Sequence, residues 1–286
     1  AVLLILPLTA VFSVPQQGVA GGGKLFVFDE RRHRFTQLPM IDNDYVVSLA
    51  TDRNNRLYVA TNHNIYCYSP SFTRISKVGG LDTGAFLSGT DGGIVPMMFD
   101  HSGRLWVGRN GKGVMCHDMR TGRNTTVGGL EGNQNIVRTI AEDRRHNIWL
   151  GTEKGVVIVR PDLSHESIYQ DFRDRNLIND NAIYSILCDK SDNMWIGTFF
   201  GGVNLFQRST TQFRWYEPGY DAANIKGKAV RMICEPVRGQ LWISTEDGGL
   251  NVLDTRGGQF SMPLPVAVTG RNIHSLCHAP ATGDMW

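Results

Sequence analysis

One segment recurs along this chain in a register that constrains everything else. DKSDNMWIGTFFGGVNLF, from Asp189 to Phe206, reads as a turn, a strand around Trp195, a Gly-Gly break and a second strand. Aligned on the aromatic, its copies fall at Tyr58, Trp106, Trp149, Trp195, Trp242 and Trp286, at intervals of 48, 43, 46, 47 and 44 residues. Nine residues before the first five stand Leu49, Met97, Ile140, Ile186 and Ile233, and twelve before stand Val46, Ile94, Val137, Ile183 and Val230. Six before, an Asp opens the turn at Asp52, Asp100, Asp143 and Asp189, with Pro236 in the fifth copy. Three after comes Thr61, Thr152, Thr198 or Thr245, with Arg109 as the exception. A fixed period of this size marks a tandem array.

Each full copy offers four short apolar strands separated by Gly, Asn, Asp and Pro, with no long helical pattern between them. Four strands in about 40 to 50 residues are the pattern of a β-propeller blade, so the predicted fold is all-β, a propeller of four-stranded blades. Both faces of a blade pack on neighbours, which accounts for strands that are apolar at odd and even positions alike. The recurring Trp reads as a wedge between blades. Gly151, Gly197 and the pairs Gly201-Gly202 and Gly248-Gly249 read as places of close backbone approach.

Blades are expected near residues 44–78, 93–127, 135–169, 181–216 and 228–262, with partial copies at 21–39 and 271–286. The two partial copies either complete one another or belong to a ring continuing past Trp286. The second choice gives about six blades here of a seven-bladed ring, with 21–286 as the propeller. Residues 1–20 carry an apolar run, Ala1 to Val14, shorter than the roughly 20 residues that span a bilayer. It reads either as a truncated secretory signal, with small residues at Gly18-Val19-Ala20, or as an irregular strand.

A net charge of +2 with 20 % charged residues implies no basic face for nucleic acid. Cys67 and Cys116 share columns with Ile158, Leu205 and Val252, and Cys234 and Cys277 share one with Ala141 and Leu187. These are core positions, where a free thiol acts as a small hydrophobe. No CxxC or HExxH appears, and the eight histidines are scattered among turns and strand ends, so no metal, cofactor or catalytic group is expected.

The pattern VxxIxxDxxxxxWxGTxxGG, carried by IVRTIAEDRRHNIWLGTEKGVVIV and AIYSILCDKSDNMWIGTFFGGVNLF, resembles the two-component regulator propeller repeat. The resemblance covers nearly all of Asp44 to Trp286. The sequence departs from the pattern at Tyr58 for Trp, at Ala60 and Ser244 for the signature Gly, and at Arg109 for Thr. The resemblance implies the periplasmic sensor region of a Bacteroides-type hybrid two-component regulator, acting as a homodimer within the full-length receptor. Kinase, receiver and DNA-binding parts would lie in other segments of the parent, so this segment is expected to be neither an enzyme nor membrane-spanning. Many such regulators sense polysaccharide breakdown products, which makes an oligosaccharide the expected partner.

The column eleven residues before each aromatic holds Val47, Val95, Arg138, Tyr184 and Arg231, with His274 corresponding by strand start in the last copy. In a propeller the first strand of each blade lines the central channel, so Arg138, Tyr184, Arg231 and His274 are candidate ligand-binding residues. Their donors and aromatic face suit a sugar or uronate. The competing reading pairs the arginines with turn carboxylates such as Glu142 and Glu235. A second group, Tyr169, Phe172, Arg173, Phe199, Phe200, Trp215 and Tyr216, reads as loop-side aromatics that stack on sugars, form a dimer surface or pack the outer strands. Two other classes remain open. A virginiamycin-lyase-like enzyme would show a His and two acidic residues converging on a metal. A protein-interaction propeller would need no small ligand, although the Trp-Asp dipeptide of WD-repeat scaffolds is missing.

Overall fold

The computed structural model describes residues 2–6, 9–14, 24–29, 32, 34–39, 46–61, 63–73, 75–79, 81, 95–109, 111–207, 212–266, 270–279 and 283–285, with backbone only for 2–6, 9–14, 24 and 212–213. Ile94, Trp286 and the Gly18-Val19-Ala20 stretch lie outside them. The chain divides into two compact units, Ala1–Leu130 with Cys277–Trp286, and Glu131–Leu276.

The first unit contains three sheets. One is β1 (Val2–Leu6), β2 (Thr9–Val14), β3 (Lys24–Asp29) and β4 (Arg34–Gln37). The next is β5 (Val46–Thr51), β6 (Leu57–Thr61), β7 (Ile65–Tyr68) and β8 (Ile75–Lys77). The last is β9 (Met97–Phe99), β10 (Leu105–Arg109), β11 (Gly113–His117) and β12 (Asn124–Thr126). The second unit repeats the plan in three more: β13 (Val137–Glu142) to β16 (His165–Ile168) through β14 (Ile148–Thr152) and β15 (Gly155–Val159); β17 (Ile183–Cys188), β18 (Met194–Thr198), β19 (Val203–Gln207) and β20 (Gln212–Tyr216); and β21 (Val230–Val237), β22 (Gln240–Thr245), β23 (Gly249–Asp254) and β24 (Gln259–Ser261). Every sheet is an antiparallel meander of consecutive strands. The fold is therefore all-β, built of four-stranded propeller blades.

The β1–β4 sheet takes all its strands from residues 2–37, the apolar stretch supplying β1 and β2. It takes none from 271–286, where the described residues form one isolated antiparallel bridge, His278 to Met285.

Burial follows the repeat. Strands β6, β14 and β18 are buried at every residue. Between the β13–β16 and β17–β20 sheets, Trp149, Val156 and Ile158 meet Ile178, Ile183 and Ile196. Between the β17–β20 and β21–β24 sheets, Trp195, Leu205 and Tyr216 meet Val230, Ile233 and Ile243. The signature Gly is needed where these sheets touch. A Cβ on Gly151 would lie 2.5 Å from Thr139 Cγ2 and 2.7 Å from Ile183 Cγ2 of the next sheet. A Cβ on Gly197 would strike Ser185 Oγ and Val230 Cγ1 in the same way.

The repeated Asp is more than a turn opener. Asp100, Asp143 and Asp189 each accept two backbone N–H bonds through Oδ1, from the residues two and four further on. Each Oδ2 then accepts the indole N–H of the Trp six residues on, at 2.8, 3.0 and 2.8 Å. A buried indole needs such a partner. Trp106, Trp149 and Trp195 are 1–3 % exposed. Trp242, where Pro236 replaces the Asp, is only half-buried, and its indole reaches Gln240 Oε1 at 3.5 Å.

The five cysteines are free thiols. Burial pushes Cys116 up to about 11, and burial with the nearby Asp192 pushes Cys188 up to about 12. Both stay protonated at neutral pH, as packing residues do.

Candidate functional site

The candidate residues occupy one structural position, a β-bulge. Strand pairing runs Val137 to Thr152 and then Thr139 to Gly151, so Arg138 is the extra residue left off the ladder. The same shift leaves out Tyr184, between Ile183 and Ser185, and Arg231, between Val230 and Met232. A bulged residue has no cross-strand partner, and its side chain is re-aimed away from the pleat. Strand β17 is flanked by β13 and β21, so the three bulges are neighbours.

Arg138 donates Nε–H to Glu153 Oε1 at 2.6 Å, with the two side chains 23 % and 20 % exposed. Arg231 makes the equivalent bond to Glu246 Oε1 at 2.6 Å and adds a second from Nη2. His274 Nδ1 lies 3.8 Å from the same oxygen. Both guanidiniums sit over the Tyr184 ring, Arg138 at 5.6 Å and Arg231 at 5.0 Å from its centroid. The Tyr184 hydroxyl donates to Glu153 Oε1 at 3.3 Å. Burial raises the Tyr184 pKa and the Glu153 charge adds to this, against the pull of the two arginines. The phenol therefore stays neutral and keeps its proton for donation.

The structure thus brings Arg138, Tyr184, Arg231 and His274 into one cluster within the second unit. The carboxylates expected to neutralise the arginines are a correction. Glu142 instead pairs with His146 at 3.2 Å, and Glu235 accepts backbone N–H bonds from Lys190 and Gly239. The true partners, Glu153 and Glu246, sit four residues after the Trp, directly behind the repeated Thr. Phe199 holds that place in the β17–β20 sheet and stacks on Tyr184 at 5.0 Å, so each bulge residue meets the side chain fifteen residues further on. The variability of that position behind an otherwise constant Thr was the signal that would have revealed it.

Two arginines and two glutamates cancel in charge. The cluster presents paired donors and acceptors around an aromatic ring, and the Arg138 terminal nitrogens have no partner among the described residues. Such a surface can hold a hydroxyl-rich ligand through bidentate bonds and ring contact. His274 faces one carboxylate here, and Arg231 already binds that carboxylate.

The second group of aromatics divides. Tyr216 is 4 % exposed, stacked on Trp195 and edge-on to Phe260. Tyr169 accepts a bond from Gln134 Nε2 at 2.7 Å, and Trp215 donates Nε1–H to Leu177 O at 2.7 Å. Arg173 pairs with Asp171 at 3.3 Å. Phe172 and Phe200 project outward at 87 % and 66 % exposure.

Meander sheets with buried Trp wedges define a β-propeller, and solved structures agree. The chain is similar to the extracellular domain of a putative hybrid two-component system from B. thetaiotaomicron, at 18 % identity and a TM-score of 0.55 over 91 % of this chain and 40 % of that one. It is similar to PorZ of Porphyromonas gingivalis, described as a surface component of the type-IX secretion system, at 15 % identity and a TM-score of 0.70 over 96 % of this chain and 43 % of that one. Virginiamycin B lyase from Staphylococcus aureus gives 12 % identity and 0.70 over 96 % and 87 %. At these identities the likeness is one of fold. No curated protein matches the chain by sequence. Within the chain, residues 130–154 and 177–200 match the two component regulator propeller family. Among the described residues no helix is long and apolar enough to cross a membrane.

Proposed function

We propose that this chain is the ligand-sensing propeller of an extracytoplasmic, periplasmic sensor region in a hybrid two-component signalling protein. The proposed ligand is an oligosaccharide, held by Arg138, Tyr184, Arg231 and His274 together with Glu153 and Glu246. The segment binds and does not catalyse. One observation carries the reading: the two matched repeat segments contain the paired bulge residues, Arg138 with Glu153 and Tyr184 with Phe199. The likeness to extracellular domains of hybrid two-component systems supports the cellular setting.

The cancelled charge favours neutral sugars, because a uronate carboxylate would face Glu153 and Glu246 at close range. Signalling then requires the sugar to favour one arrangement of a receptor homodimer over another, since a ligand shifts an equilibrium only by its differential affinity. The test is a thermal-shift screen against a glycan library, with Arg138→Ala and Arg231→Ala beside wild type. A midpoint rise with one oligosaccharide class, lost in both variants, is expected. A rise that survives both moves the site elsewhere. No response to any glycan removes the oligosaccharide reading and favours a partner-binding propeller.

A further inference from the structure

Beside the bulge cluster the second unit carries an open groove of about 610 Å³, lined by Phe172, Phe200, Trp215, Glu217 and Lys228 among others. That volume is in the range of small-ligand sites. Its walls are built rather than incidental. Asn204, fully buried, accepts the Asn179 backbone N–H at 3.0 Å and donates to the Asn179 side chain at 2.9 Å. Asn179 in turn donates to Gly201 O at 2.6 Å, and Gly201 N–H binds Thr198 Oγ1 at 3.0 Å. The turn carrying Phe200 is thereby tied to the segment before β17. Trp215 is fixed through its indole bond to Leu177 O.

Two large aromatics nonetheless stay in solvent on this fixed frame, Phe172 at 87 % and Phe200 at 66 % exposure. Exposed aromatic surface held rigidly is a mark of a binding surface. Lys228 Nζ, a donor, and the Glu217 carboxylate, an acceptor, have no partner among the described residues, and both line the same groove. Apolar faces alternating with separate donors and acceptors match a sugar ring, which has C–H faces and an equatorial rim of hydroxyls. The groove also joins the bulge cluster: Phe200 lies edge-on to Phe199 at 4.3 Å, and Phe199 stacks on Tyr184 at 5.0 Å.

We infer that this groove is a second carbohydrate subsite, so that the sensor reads chain length: one end of a neutral oligosaccharide sits on the Arg138–Tyr184–Arg231 cluster and later sugar units stack on Phe200 and Phe172. The inference rests on the function proposed above. Its test is calorimetric titration of size-graded cello-, manno-, xylo- and arabino-oligosaccharides, from disaccharide upward, into wild type, Arg231→Ala, Phe200→Ala and Phe172→Ala. Both phenylalanines are exposed, so their loss leaves the fold intact. Wild type binds longer members of one series more tightly than its disaccharide. Phe200→Ala weakens the longer members roughly tenfold while leaving the disaccharide little changed, and Arg231→Ala weakens all of them. Binding that needs Arg231 but ignores Phe200 and Phe172 at every length overturns the second subsite and leaves the proposed function standing. Equal loss for disaccharide and longer members in Phe200→Ala overturns it too, because a single site would then hold the whole ligand. If no member of any series binds wild type, the oligosaccharide reading and the second subsite fall together.

Discussion

The bulge position is occupied in both units, and the two units use it in opposite ways. In the second unit it holds Arg138, Tyr184 and Arg231, half-buried and engaged with polar or aromatic partners. In the first unit the β5 bulge leaves out Val47, a half-buried side chain that packs against the apolar cluster containing Tyr58, Ile65 and Leu105. Val95, the equivalent ahead of β9, is fully buried in the same cluster. One backbone device thus serves as core filler in one unit and as a presenting position in the other. The difference lies in the side chain alone, so recognition can be confined to a few blades of an array whose other blades supply only scaffold.

Four substitutions would break or sharpen this contrast. The largest effect is expected for Val95→Arg, which places a cation where no exposed surface exists and costs several kcal/mol in a denaturant titration. If Val95→Arg is as stable as wild type, the first unit does not close its bulge column and the contrast fails. Gly197→Ala comes next. The added methyl meets Ser185 and Val230, and overpacking of that kind costs about 1–3 kcal/mol. Ala60→Gly, at the matching place in the first unit, should change stability by about 1 kcal/mol or less in the same assay.

A comparably small effect concerns acid. Burial pushes Asp100 up, but its bonds from Trp106 and from the Arg104 backbone and side chain outweigh this and hold its pKa below the ordinary carboxylate value. A depressed folded pKa stabilises the protein above the unfolded value, about 3.9, and the contribution is lost as pH falls through the folded value. Asp100→Asn should therefore cost on the order of 1 kcal/mol at neutral pH and flatten the acid limb of the stability curve. An unchanged acid limb would show that the Asp–Trp bond does not depend on charge.

The repeat made the blades legible because the same columns recur with little change. Leu49, Ile140, Ile186 and Ile233 mark the first strand, and Gly151 and Gly197 mark where sheets touch. The departures from the repeat were legible as candidates for the same reason, and Arg138, Tyr184, Arg231 and His274 do stand together. What the spacing hid was partnership. An Asp six residues before a Trp can be read as a turn, yet its second oxygen also holds the indole, and only the poorer burial of Trp242 behind Pro236 exposes that dependence. Glu153 and Glu246 were hidden because a bulge shifts the pairing by one residue, and the linear pattern is identical with or without that shift. The strands β1 and β2 were hidden for another reason: an apolar run without turn residues in its first six positions reads equally as a leader and as paired strand.

A residue outside the ladder and outside the core contributes almost nothing to whether its blade folds. If the function proposed above holds, its replacement is filtered by what it binds and scarcely by stability. An array built this way can acquire a new specificity one blade at a time, through single substitutions in one column and its partner fifteen residues on, without passing through unstable intermediates. Among related propellers, if the function proposed above holds, variation concentrated in those two columns would record changes of ligand rather than erosion of the fold.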